Sequence, residues 1–130
     1  MNPELIFTEP PELVQEARIA MARAECRLTL QDGPPITRCD ATYIGLAFLV
    51  LEAVDPPYPP LFDVEPSLDT RADITAAIWR LGEAIAEADS AADVLRYAAT
   101  IADLRDLNLL TPDLDPDPEP GLGGWSGQWQ

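Results

Sequence analysis

Residues 40–54 read DATYIGLAFLVLEAV, and nothing else in the chain constrains its architecture as strongly. Between Asp40 and Glu52 no side chain is charged, so a helix built on this stretch has almost no polar face. A helix that is apolar all round is covered on all sides, either at the centre of a bundle or against another chain. The β-branched and aromatic residues would also suit a buried strand, but no second stretch reads as a strand to pair with it. The expectation is a central helix, N-capped by Asp40 and stopped by Asp55-Pro56, with Phe48 and Leu49 in the core or in a subunit interface.

Proline divides the rest of the chain. Fourteen prolines fall at 3, 10, 11, 34, 35, 56, 57, 59, 60, 66, 112, 116, 118 and 120, leaving windows 12–33, 36–55 and 67–111 free of them. A proline inside a helix costs roughly 3 kcal/mol, so helices belong in those windows. In the first, Pro10-Pro11 suits a helix start and Gly33-Pro34 a stop. Leu13, Ala17, Ala20, Met21, Ala24 and Leu28 make one apolar stripe, with Glu12 and Glu16 early and Arg23 and Arg27 late, as the helix dipole favours.

The third window holds two helices. Asp69-Thr70 can cap the first, whose inner face is Ile74, Ala77, Ile78, Leu81, Ile85 and Ala88. The pattern then breaks, and Ser90 with Asp93 resembles a capping box. Val94, Tyr97, Ala98, Ile101 and Leu104 form the next stripe. The predicted fold is all-α: a small four-helix bundle-like domain over residues 1–110, with helices near 12–31, 40–54, 70–88 and 91–108 and no paired sheet. A Pro-rich crossover, residues 55–66, is stiffened toward polyproline II and can strap one end of the bundle, with Tyr58, Leu61, Phe62 and Val64 sealing the core.

Residues 111–130 form an extended acidic tail, Pro/Gly-rich, with Trp125 and Trp129 beyond Gly123-Gly124. A proline at every second position from Pro116 to Pro120 precludes regular structure there. The two indoles have the character of interface anchors, so the tail is expected to be dispensable for folding and to contribute to binding. The alternation of Asp113, Asp115 and Asp117 lacks the glycine and terminal Glu of a calcium loop.

Composition narrows the function. The 130 residues include 23 Asp plus Glu, 8 basic residues and no His, a formal charge of −15. Removing the tail's four acids still leaves 19 acids against 8 basic residues over 1–110, a net −11. Direct nucleic-acid binding and attachment to anionic membranes both need basic patches, so neither is expected. Without His, the Ser-His-Asp triad, the Cys-His dyad and the His-ligated zinc site are excluded. The start lacks a signal-peptide pattern and the longest apolar run is too short to span a bilayer, which reads as a cytoplasmic chain. Cys26 and Cys39 are then two reduced, small buried hydrophobes.

Three functions survive. The leading one is a non-catalytic acidic protein, without cofactor or metal, that binds a protein partner with a basic surface as an accessory subunit, chaperone or immunity-type inhibitor. Tyr58, Phe62, Trp125 and Trp129 are its candidate contacts, and the apolar second helix could pair with a second copy. A DNA-mimic inhibitor would need acids arrayed along one face, whereas arginines occur in three of the four expected helices. A Mg²⁺-dependent all-α nucleotide hydrolase could use Glu83, Glu87, Asp103 and Asp106. Those two pairs sit beside Arg80 and Arg105, however, and no lysine or phosphate-cradling loop accompanies them.

Overall fold

Four helices occupy the proline-free windows, the second with a proline as its first residue: α1 Glu12–Leu30, α2 Pro35–Leu51, α3 Thr70–Glu87 and α4 Ala91–Arg105, with a short 3-10 turn at Asn108–Leu110. The computed structural model describes residues 7–30 and 35–110, the side chains of 35–39 excepted. Among the described residues there is no strand, and no helix is long and apolar enough to cross a membrane.

The predicted caps are in place. Asp69 accepts a hydrogen bond from the Ala72 backbone N at 3.1 Å, and Ser90 Oγ accepts one from Asp93 N at 3.1 Å. These bonds satisfy amides that the first helical turn leaves open, which fixes the break between α3 and α4 at residues 88–90. The start of α2 differs from expectation. It begins five residues before Asp40, because a proline at the first helical position lacks only an N–H that would be unbonded anyway. Asp40 lies inside the helix, 3% exposed, and its carboxylate accepts from Asn108 N and Leu109 N, both at 2.9 Å. The residue expected to cap its own helix instead fastens the turn after α4.

Helix neighbours form a ring in the order α1, α2, α4, α3. Arg23 faces Asp73 and Arg80 faces Glu16, so α1 and α3 are antiparallel. Arg96 reaches the Leu51 carbonyl while Asp40 reaches residue 108, so α2 and α4 are antiparallel as well. With α2 and α3 pointing the same way, the crossover must run the length of the bundle. It does so along α1. Arg18 Nη2 donates to Pro59 O at 2.7 Å, Arg27 Nε to Ser67 O at 2.8 Å, and Ser67 N to Arg23 O at 3.0 Å.

The central helix is therefore α1, flanked by α2, α3 and the strap. This corrects the expectation for α2, which packs mainly on α1, α4 and the terminal turn. The core gathers Val14, Ala17, Met21, Ala24 and Leu28 of α1, Ile44, Ala47 and Leu51 of α2, Ile74, Ala77, Leu81 and Ala84 of α3, and Tyr97, Leu104 and Leu107. Phe48 is half-buried against it, and Leu49 is 69% exposed. Truncating Phe48 to Ala should cost about 2–3 kcal/mol, below the full-burial value for that change, in a urea titration.

Tyr58 closes the lower edge of the core. It is 7% exposed. The Arg18 guanidinium lies 5.1 Å from its ring centroid, and Arg96 Nη2 donates to its hydroxyl at 2.9 Å. Both cations are held elsewhere too, Arg18 by Glu52 Oε2 and Gln15 Oε1 at 2.7 Å each and Arg96 by Asp93 at 2.7 Å. One tyrosine thus ties the strap to α1 and α4 together.

Candidate functional site

The outward side of α2 carries three exposed large apolar side chains, Tyr43, Leu46 and Leu49. With Ile44, Ala47 and Leu51 turned inward, steps of 100° per residue place Leu46 and Leu49 on the opposite side and Tyr43 at the edge nearest α4. Among the described residues no element covers them. Tyr43 is 52% exposed and Leu46 48%. Their spacing of three makes a ridge one side chain wide, on a helix whose exposed face should by ordinary patterning be polar.

Acids border this ridge. On the α4 side, a groove of about 460 Å³ is lined by Tyr43, Leu46, Asp103 and Asp106. Among the described residues neither aspartate makes an ion pair. On the α1 side, Glu25 reaches across to Gly45, where an added Cβ would stand 3.2 Å from its Oε2. A Cβ at that position would make the carboxylate give way by a few tenths of an ångström.

Glu25 also lines a cleft of about 500 Å³ between α1, α2 and the strap, with Cys26, Phe48, Glu52 and Leu61. Burial, and after it the neighbouring charge of Glu52, raises the Glu25 carboxyl above its ordinary value. A carboxyl raised in the folded state binds its proton more tightly there than in the unfolded chain. Its contribution to stability is therefore lost as pH rises from the unfolded value through the folded one. Glu25→Gln should accordingly raise the melting temperature at pH 7, and the difference from wild type should vanish below about pH 4, where both states are protonated. Thermal melts of the two proteins across that range check the sign.

The expected contact residues fall in three places. Tyr58 is buried and turned to the core, so it offers a partner no surface. Phe62 is 77% exposed on the strap, beside a groove lined by Ile19, Leu61 and Val64. Trp125 and Trp129 lie outside the described residues. Glu83 is held by Arg80 at 3.2 Å, and among the described residues no three acidic or cysteine side chains converge as a metal would need. Cys26 is a free, half-buried thiol, whereas the side chain of Cys39 lies outside the described residues.

Of Tyr43, Leu46 and Leu49 the sequence pattern singles out only Leu49, for the core or a subunit interface, although the absence of a polar face on residues 41–51 is the signal for all three. That absence shows apolar excess but not which side is left open. Searches of the chain against protein-family models, curated proteins and solved structures return no match.

Proposed function

We propose that this chain is a non-catalytic acidic helical protein that binds a protein partner, as an accessory subunit, chaperone or immunity-type inhibitor, and that it docks the partner on the outward face of α2. The observation that supports this reading is the exposed row Tyr43, Leu46 and Leu49 with Asp103 and Asp106 beside it. Apolar anchors in a contiguous patch supply affinity, while bordering charges govern encounter rate and partner choice. The net charge of −15 attracts a basic partner over distances comparable to the Debye length, about 10 Å at 0.1 M salt.

The test uses full-length protein as bait in a lysate of its own host, beside Leu46→Asp and Leu49→Asp baits. Both positions are exposed, so the variants should melt within a few degrees of wild type. A protein retained by wild type and lost from both variants supports the reading; identical capture by all three baits rejects it. A Trp125→Ala, Trp129→Ala bait reports separately on the tail.

A further inference from the structure

The chemistry around the α2 ridge selects its occupant. Resting on the docking role just proposed, we infer that the partner element seated there is a cationic amphipathic helix, with leucines or aromatics along one stripe and lysines or arginines flanking it on both sides. The ridge from Tyr43 to Leu49 rises roughly 9 Å, six steps of 1.5 Å. Anchors at i, i+3 or i+4, and i+7 on a facing helix span about the same distance, the usual spacing of helix-in-groove recognition. Among the described residues no sheet edge exists to pair with an extended peptide instead.

The borders of the ridge carry one sign. Asp103 and Asp106 stand along the α4 edge, and Glu25 along the α1 edge. The arginines of the flanking helices are turned to other work. Arg18 is held by Glu52, Gln15 and Pro59 O, and Arg96 by Leu51 O, Asp93 and Tyr58. Arg105 comes two residues after Asp103, which places it about 200° further round α4. Among the described side chains, a flanking cation of the partner thus meets a carboxylate on either side with no arginine to displace; the side chain of Arg38 lies outside them.

The same charges disfavour the other candidates. A second copy docked by a two-fold axis would set the same patch against itself, acidic border near acidic border, on two chains of −15 each. The chain's own tail carries Asp113, Asp115, Asp117 and Glu119 and no basic residue, so it approaches with the wrong sign. Like charges brought together at an interface penalise the wrong partner, and opposite ones guide the right one.

The experiment is fluorescence anisotropy with full-length protein and three labelled 14-residue probes. One is a leucine/lysine peptide with leucine at helical period, one a permutation of the same residues without that period, and one the periodic peptide with glutamate for lysine. At 50 mM salt the periodic cationic probe should bind at least tenfold more tightly than the permuted one, and the glutamate probe should not bind. Leu49→Asp should weaken binding at least tenfold even though it adds a negative charge. Leu68→Asp, at a 91% exposed leucine outside the ridge, should leave binding unchanged. Asp103→Asn with Asp106→Asn should weaken binding severalfold at 50 mM salt and make no difference at 500 mM.

Equal binding of the permuted probe, or indifference to Leu49→Asp, would overturn the inference. Sedimentation separates its failure from that of the docking role. A dimer dissolved by Leu49→Asp would put a second copy on the ridge, so that the ridge docks protein but not this one. A monomer that binds no probe, yet loses a captured host protein on Leu49→Asp, would likewise retain the docking role and reject the cationic helix.

Discussion

Arg18→Met is expected to lower the unfolding free energy by about 3–5 kcal/mol, the range for removing one member of a buried charged pair. Arg18 is 1% exposed, and its guanidinium serves Glu52, Gln15 and the Pro59 carbonyl while lying over Tyr58. Methionine restores most of the packing volume and none of the donors. The Glu52 side chain is 32% exposed and can partly rehydrate, which holds the loss near the lower end. Double replacement, Arg18→Met with Glu52→Leu, removes both charges and should recover part of the loss, since a paired buried charge often does no better than a hydrophobic pair of similar volume. Urea titrations of the single and double variants decide the matter. A single variant within about 1 kcal/mol of wild type would mean that the strap is held without its arginine.

Asp40→Ala carries the second large effect, about 2–4 kcal/mol. A hydrogen bond to a charged group contributes on the order of 1.5–3 kcal/mol, and this carboxylate accepts two. Alanine leaves the Asn108 and Leu109 amides without their acceptor, so the turn that carries buried Leu107 into the core should loosen first. Asp40→Asn keeps one carbonyl acceptor and should fall between wild type and alanine. Amide hydrogen exchange supplies the local readout. Protection at 108 and 109 should drop in Asp40→Ala by more than the global stability change accounts for, whereas an equal drop everywhere would place the effect of Asp40 in the bundle as a whole.

Local chemistry is legible in the order of the residues alone. Pro34-Pro35, the proline cluster 56–60 and the caps Asp69 and Ser90 act on their own few residues, through sterics and through hydrogen bonds three residues long. The buried stripes of α1 and α3 follow equally from their period, though Val14 rather than Leu13 lies deepest. On α4 the period is read less well. Thr100 is fully buried with its hydroxyl donating to the Arg96 carbonyl, a local bond that lets a polar residue occupy an apolar position.

The candidate face was only half legible. An apolar α2 announced that it needs covering, but two arrangements satisfy that need, and neither period nor composition distinguishes a helix enclosed by its own bundle from one left open on one side. The strap made the difference. By lying along α1 it enclosed that helix and left Tyr43, Leu46 and Leu49 uncovered, the reverse of the order that hydropathy alone suggests.

By itself the sequence determined that there are four helices, the break between the last two, the all-α class and the strongly acidic character, because each depends on residues within one or two turns of one another or on the sum of charges. Tertiary structure alone decided which helix is central, that Arg18 is an interior rather than a surface group, and that Asp40 serves a turn 68 residues away. Those outcomes depend on which distant groups meet. Packing selects such meetings over the whole chain at once, when burying a charge or a polar group is tolerated only where partners from several elements arrive together.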